Sequence, residues 1–136
     1  MNLDLPKGGA LIIGLGVDVT DVARIHEICE RHGERFLARV FTDEERAYCA
    51  GMAQPFKHLA ARFAAKEAVS KCFATGIGAE LGWKSVSVYH GAKGQPLVRL
   101  DEKGQALLRD AGATGIILSI SHTGLVATAV AVLVRA

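Results

Sequence analysis

The run from Arg62 to Phe73, RFAAKEAVSKCF, constrains the fold more than any other stretch of the chain. Alanine favours a helix, Pro55 suits a first helical turn, and Gly76 can supply the left-handed residue that ends the helix. The sequence therefore predicts one long helix over about residues 55–74. Since apolar residues surround the charges of this run, we expect the helix to lie inside the fold with its charged side chains embedded.

The charged residues of this helix fall on two of its sides. At 100° per residue, Glu67 and Lys71 share one side, and Arg62 and Lys66 share another. Ordinary ion pairs between residues four apart are the usual explanation of helical charges, at roughly 0.2–0.5 kcal/mol each. That explanation is weaker for Glu67, because a carboxylate among alanines needs a cation or a metal supplied by another part of the fold.

Composition excludes several classes of protein. A chain of 136 residues predicts one domain. The net charge of +2, with no aromatics interleaved among the basic residues, does not indicate a nucleic-acid binder. Three cysteines without a CxxC pair indicate neither a disulfide framework nor a zinc site, and fit a reducing cytoplasm. No apolar run is long enough for a membrane helix, and the N-terminus does not read as a signal peptide. We expect a soluble cytoplasmic protein without a membrane partner.

The first part of the chain predicts an extension, a strand and a helical pair. Residues 1–9 form the predicted N-terminal extension, and 10–136 form the domain. Residues 10–17 predict a buried strand that ends on Asp18. The glycines of this strand allow a neighbouring backbone or ligand to approach closely. Thr20 or Asp21 can cap the helix that follows. Asp18 is equally consistent with turn or capping chemistry and with a ligand role.

Four arginines fall along the two helices predicted after this strand, and they could form one basic surface: Arg24, Arg31, Arg35 and Arg39. A solvated helix face is the commoner explanation of such a pattern. Thr42 and Glu45 make a capping box for the next helix. The glycine loop at 75–78, TGIG, matches neither GxGxxG nor a Walker sequence, so it is a weak signal for phosphate binding.

The second half of the chain predicts four strands and a short helix. Strands at 85–90 and 97–100 flank a glycine turn and read as a hairpin. A helix at 106–111 follows, and strands at 115–121 and 125–134 complete the chain. The last strand is apolar on both faces, which suits a central or interface strand. The high apolar fraction, 50%, hints that other copies of the chain cover part of the surface.

Four separated stretches carry a specific resemblance: GLGVDVTDVARI at 14–25, FTDEERAYC at 41–49, RFAAKEAVSKCFATGIG at 62–78 and SISHTGLVATAV at 119–130. In order and spacing they resemble the holo-acyl-carrier-protein synthase family, the small bacterial 4′-phosphopantetheinyl transferases. The match spans nearly the whole chain after residue 10. Two departures are small, because Ala74 stands where the family often has glycine and residues 1–9 precede the usual start.

The resemblance implies an activity and a fold. Such enzymes transfer 4′-phosphopantetheine from coenzyme A to a serine of apo acyl carrier protein in fatty acid biosynthesis, releasing adenosine 3′,5′-bisphosphate with magnesium as cofactor. The implied fold is α+β: a single small domain with a long central helix on a mostly antiparallel sheet. The implied assembly is a homotrimer with active sites at the subunit clefts.

The resemblance also assigns site residues. Asp18 and Glu67 match the metal-binding acids, and Lys71 matches the lysine beside the phosphates. Glu67 is also a candidate for the general base, acting directly or through water. Arg62 and His122 match positions that hold coenzyme A, and the loop containing Gly76 is expected to lie against the nucleotide. The helix that carries Arg24 corresponds to the carrier-docking element, to which Arg31, Arg35 and Arg39 are added.

Two rival interpretations stay open on the residues alone. One is a non-catalytic module that binds coenzyme A or a nucleotide. Asp18 together with Glu67 disfavours it, because acids beside a polyanion are unfavourable unless a metal intervenes. The other is a structural oligomer with ion-paired embedded charges, which leaves the four ordered matches unexplained.

Overall fold

Five strands and five α-helices make up the part of the chain that the computed structural model describes, residues 11–136. The predicted extension, 1–9, lies outside the described residues. In chain order the elements are β1 (Leu11–Asp21), α1 (Val22–His32), α2 (Glu34–Val40), α3 (Asp43–Ala50), α4 (Pro55–Cys72), a 3₁₀ turn (Trp83–Ser85), β2 (Val86–His90), β3 (Pro96–Leu100), α5 (Glu102–Asp110), β4 (Gly115–His122) and β5 (Val126–Arg135).

The strands form two antiparallel sheets, and the longest helix, α4, packs against both. The larger sheet has the order β1-β5-β4, and β2 pairs with β3 as a hairpin. The α+β class and the antiparallel arrangement are therefore confirmed. So is the central position of the apolar last strand. None of the helices in residues 11–136 is both long and apolar enough to cross a membrane.

Helix α4 lies unusually close to β1. A Cβ on Gly14 would come within 2.5 Å of the Cys72 carbonyl oxygen, and one on Gly16 would overlap the carbonyl oxygen of Ala68. Because strand residues alternate in direction, Gly14 and Gly16 do not share a face with Val17. The glycines of the first strand thus let a helix backbone approach, as the sequence predicts.

Almost every side of α4 is buried, since the helix takes part in both hydrophobic clusters of the fold. One cluster joins its later turns to the hairpin, α5 and the inner face of the larger sheet. The other joins its earlier turns to α1, α2 and α3. Arg62 and Lys66 are 2% and 0% exposed. The prediction of embedded charges is confirmed for both residues.

The outer face of the larger sheet is apolar and exposed. Leu15, Val17 and Val19 on β1 are 65%, 53% and 65% exposed. Val17 is paired with Val130 on β5. Leu15 of β1 and Ile117 of β4 are both paired with Val132 of β5, so these side chains lie side by side across the sheet. Contiguous exposed apolar residues of this kind mark an interaction surface.

Two predicted element boundaries were wrong, and so was the residue predicted to end α4. Strand β1 does not end on Asp18 but continues to Asp21, because Asp18 and its neighbours remain paired with β5. Helix α5 begins at Glu102 rather than at residue 106, because the Asp101 side chain caps it by accepting from the backbone N–H of Gly104. Asp21 is the N-cap of α1 without a side-chain capping bond. The capping box of Thr42 and Glu45 is present.

The third correction concerns the end of α4. The left-handed residue that directly follows the C-cap is Ala74, with φ of 59°; Gly76 also has a positive φ but lies beyond the bonds that end the helix. The Ala74 N–H donates to the Lys71 carbonyl and the Thr75 N–H to the Ser70 carbonyl, the pattern of a Schellman motif. Glycine is the residue best suited to such a position, so alanine there is the unusual choice.

Candidate active site

Asp18 and Lys71 meet where β1 passes under the last turn of α4. Asp18 shares the inner sheet face with Gly16, and its side chain is 18% exposed. Its Oδ2 accepts from the Thr20 hydroxyl at 2.9 Å, and its Oδ1 lies 3.3 Å from Lys71 Nζ. Lys71 Nζ also donates to the Val17 carbonyl at 2.9 Å. The lysine is therefore held by β1, and not by an ordinary ion pair with Glu67 one turn earlier.

Glu67 is half-buried and lies in the same electrostatic neighbourhood. Desolvation raises the pKa of the Glu67 carboxyl, and the Asp18 carboxylate raises it further, while Lys71 and Arg24 lower it. Two carboxylates thus destabilise each other in a partly dry site. A divalent cation between them would relieve that cost.

The donor set fits magnesium. This ion prefers oxygen ligands, keeps several waters and is usually held by one or two carboxylates together with substrate phosphates. Within residues 11–136, no group of three or more His, Cys, Asp and Glu side chains could hold a metal ion. The two acids would therefore form an incomplete site that water and a phosphate substrate complete.

A second cluster surrounds Arg62 on another side of α4. The Arg62 guanidinium lies 4.2 Å from the centre of the Tyr48 ring, its Nη1 donates to the His58 carbonyl at 3.3 Å, and its Nη2 is 2.9 Å from His90 Nε2. His58 and His122 rings meet edge to face at 5.0 Å. A cavity of about 210 Å³ opens between these five side chains.

Two polar atoms of this cluster are buried without a hydrogen-bond partner among the described residues: Arg62 Nε and His122 Nδ1. Burial is the main reason that the pKa values of His58 and His122 are lowered, and the Arg62 charge adds to it. Arg62 and His122 both line the cavity, and buried polar groups without partners are costly. The cluster can therefore bind a negatively charged group.

The remaining predicted residues lie outside both clusters. Gly76 is exposed, with φ of 66°, in the loop that follows α4. The four arginines of α1 and α2 are exposed, and Arg31 pairs with Glu27 at 3.1 Å. Arg24 is the one whose charge reaches Glu67. A basic surface next to the acidic cluster is compatible with this arrangement.

Sequence reasoning missed the partners of the embedded charges. Lys66 Nζ lies 2.7 Å from Glu45 Oε1, with both side chains fully buried, and it also donates to the carbonyls of Trp83 and Val86. Tyr48, His58 and His90 around Arg62 were missed too. Glu45 and Tyr48 lie in the quoted stretch FTDEERAYC, but nothing in their spacing relates them to residues of α4.

Fold and clusters together define a class: a small α+β domain in which one helix carries a glutamate and a lysine next to an aspartate of the first strand. On another side, the same helix carries a buried arginine that lines a cavity. The family sequence model of the 4′-phosphopantetheinyl transferase superfamily matches residues 14–128 of this chain. A holo-[acyl-carrier-protein] synthase from Chlamydia trachomatis is 43% identical over 121 residues, which are 89% of this chain and 98% of the relative.

Solved structures agree with this assignment. The holo-[acyl-carrier-protein] synthase of Neisseria meningitidis superposes with a TM-score of 0.84 at 30% identity, over 90% of this chain and 98% of the other. The Helicobacter pylori enzyme, solved in complex with coenzyme A, gives 0.78 at 30% identity over 88% and 98%. The chain therefore belongs to the holo-[acyl-carrier-protein] synthase family of the 4′-phosphopantetheinyl transferase superfamily.

Proposed function

We propose that this chain transfers 4′-phosphopantetheine from coenzyme A to a serine of apo acyl carrier protein, giving holo carrier protein and adenosine 3′,5′-bisphosphate for fatty acid biosynthesis in the cytoplasm. The serine oxygen bonds to the phosphorus that carries pantetheine, and the bond from that phosphorus to the bridging oxygen breaks. The observation that carries the proposal is the contact of Asp18 with Lys71, whose charges both act on Glu67, in a chain that matches this family over most of its length.

Asp18 and Glu67 would hold magnesium against the diphosphate of coenzyme A. Bound there, the ion supplies neutralisation of phosphate charge, which is the main requirement of phosphoryl transfer. Lys71 adds a cation at the same place. Glu67 is the candidate to accept the serine proton, directly or through a water molecule, and its raised pKa suits it to that role.

Arg62 and His122 would bind an anionic group of coenzyme A, with the Gly76 loop beside the nucleotide. Both residues line the 210 Å³ cavity, and each has a buried polar atom without a partner among the described residues, which supports this role. Steady-state kinetics separates the two clusters. We expect Lys71→Ala to lower kcat, whereas Arg62→Ala and His122→Ala raise the KM for coenzyme A.

A matched set of variants tests the reaction. Wild-type chain, coenzyme A, magnesium and apo carrier should give a phosphopantetheine adduct on the carrier by mass spectrometry. Asp18→Ala and Glu67→Gln should lose most of the activity, while the exposed controls Asp110→Ala and Glu102→Gln keep it. Absence of the adduct with the wild type would reject transfer in favour of a binding module. Full turnover by Glu67→Gln would reject the metal and base assignment.

The acidic carrier would dock on the exposed arginines of α1 and α2: Arg24, Arg31, Arg35 and Arg39. Complementary charge steers association and is weakened by salt. Arg35→Glu should raise the KM for the carrier with little change for coenzyme A, whereas Arg109→Glu on α5 should change neither. Equal effects of both reversals would place docking elsewhere.

We also propose a homotrimer with composite sites. The exposed apolar face formed by Leu15, Val17 and Val19 is a surface that another copy can cover. Glu67 and Arg62 are about 140° apart around α4 at 100° per residue, so two subunits can present the two clusters to one coenzyme A more easily than one subunit can.

Subunit mixing tests the composite site. Glu67→Gln and Arg62→Met chains, each of low activity, are unfolded and refolded together in equal amounts. If a site takes its acid from one subunit and its arginine from the next, about a quarter of the sites regain both wild-type clusters. Recovery of no activity, or a monomeric mass by light scattering, would refute the composite trimer. Val17→Lys should disrupt assembly, whereas Gln105→Lys, at an exposed position of α5 away from this sheet face, is the control for added charge.

A further inference from the structure

His90 connects the buried arginine to the turn of the hairpin. Its ring lies at the end of β2, stacked on Tyr48 with centroids 4.7 Å apart. One ring nitrogen, Nδ1, lies 3.0 Å from the Gly94 carbonyl oxygen, and the other, Nε2, lies 2.9 Å from Arg62 Nη2. His90 is not among the residues that the family resemblance assigns to the site.

The two partners determine the tautomer of this imidazole. A carbonyl oxygen only accepts, so Nδ1 must carry the proton that is donated to Gly94. In the neutral ring, Nε2 is then an acceptor, which suits the Arg62 N–H donor. The two nitrogens therefore act differently, since Nδ1 holds the turn of the hairpin and Nε2 holds the guanidinium.

The position of the guanidinium matters because its Nε–H is the group left without a partner. Tyr48 lies against its face, and the His58 carbonyl and His90 accept from its two terminal nitrogens. These three contacts come from α3, α4 and β2, and together they fix the plane of the side chain. Arg62 and His122 both line the cavity, and Arg62 Nε and His122 Nδ1 are their buried polar atoms without a partner among the described residues.

We propose that His90 is a positioning residue for anion binding: its Nε2 orients Arg62 so that the guanidinium can receive a phosphate group of the coenzyme A substrate in the cavity. The inference rests on the proposed function for the identity of the ligand. The contact between His90 and Arg62 does not depend on that identity. His90 acts through Arg62 and takes no part in bond making.

Two substitutions separate the contributions of the two nitrogens. Gln in place of His90 puts an amide oxygen near the position of Nε2, so it can still accept from Arg62. Asn in place of His90 puts an amide N–H near the position of Nδ1, so it can still donate to Gly94 but is too short to reach Arg62. His32→Asn, at the exposed end of α1, is the matched control.

Coenzyme A affinity is measured by calorimetry, and kcat is measured at saturating coenzyme A. We expect His90→Asn to weaken binding about tenfold, the size expected when a hydrogen bond to a charged group is lost, with kcat within about twofold. His90→Gln should bind within about threefold of the wild type, and His32→Asn should bind equally well. A double variant adds a second criterion: with Arg62→Met present, His90→Asn should have no further effect, since it acts through Arg62.

A measurement that needs no substrate is the hydrogen-exchange rate of the Arg62 Nε–H, followed by NMR. In the free protein, exchange should be faster in His90→Asn than in His90→Gln, because the guanidinium is no longer fixed. Equal loss of affinity in both variants, or no loss in either, would overturn the proposal. If the wild type fails to bind coenzyme A, the proposed function fails, and the exchange rates then decide alone whether His90 fixes Arg62.

Discussion

Lys66→Met should cost more stability than any ordinary surface ion pair could account for. The ammonium of Lys66 is fully buried and contacts the Glu45 carboxylate at 2.7 Å and the carbonyls of Trp83 and Val86. Methionine keeps the length of the side chain, so little cavity is created. What changes is the charge, because Glu45 is left as a buried carboxylate without a cation.

The magnitude follows from what Glu45 retains. Removing one partner of a buried pair costs about 3–5 kcal/mol. Glu45 would still accept from the backbone N–H groups of Thr42 and Val88, each at 3.0 Å, so we expect the lower end, about 3 kcal/mol. For a chain of this size, that loss lowers Tm by roughly 10 °C.

Thermal unfolding at fixed protein concentration, followed by circular dichroism, measures the effect, since assembly makes Tm depend on concentration. Glu45→Gln and the double variant complete a cycle. The double variant should be about 2 kcal/mol more stable than the sum of the single losses predicts. A Tm for Lys66→Met within about 2 °C of the wild type, or strict additivity, would refute a strong buried pair.

Three further predictions concern the backbone and the acidic cluster. Gly16→Ala should prevent stable folding or lower Tm by well over about 10 °C, since a Cβ there overlaps the Ala68 carbonyl, whereas Gly78→Ala, whose Cβ meets nothing within 4 Å, should have a small effect. Ala74→Gly should raise Tm by a few degrees, because it relieves about 1 kcal/mol of left-handed strain, and an unchanged or lower Tm would contradict the Schellman assignment. Glu67→Gln in chelator should be more stable than wild type at pH 7, with the difference vanishing below about pH 4.5. The folded-state pKa is raised, so wild-type stability falls as pH rises through it, and a difference independent of pH would argue against the effect.

The order of elements could be predicted because each depends on local signals. Apolar runs, glycine turns and the Thr42 capping box indicated the strands and helices, and the errors were confined to their ends. Asp18 is an example, because an aspartate after an apolar run favours a turn. Here its neighbours stay paired with β5, and tertiary pairing outweighs the local preference.

The acidic cluster could be proposed through the family resemblance, but its geometry could not be derived from spacing. Asp18 and Lys71 are 53 positions apart, and their contact depends on how closely α4 approaches β1. The glycines at 14 and 16 predicted that another part of the chain approaches the strand closely, but they did not indicate which part. His90 and Tyr48 gave no signal, because a histidine at a strand end and a tyrosine in a helix are both ordinary.

The embedded charges of α4 differ in how completely the fold satisfies them, and that difference separates structure from function. Lys66 has a carboxylate and two carbonyls. The two terminal nitrogens of Arg62 contact the His58 carbonyl and His90, and the face of the guanidinium contacts the Tyr48 ring. Its Nε has no partner within the described residues. Burial raises the pKa of Glu67, and the charge of the Asp18 carboxylate raises it further. Because an unsatisfied buried group costs stability, a ligand that satisfies it recovers part of that free energy on binding. By this criterion Lys66 is structural, while Arg62 and Glu67 are the residues of α4 to which we assign an anion and a cation as a proposal.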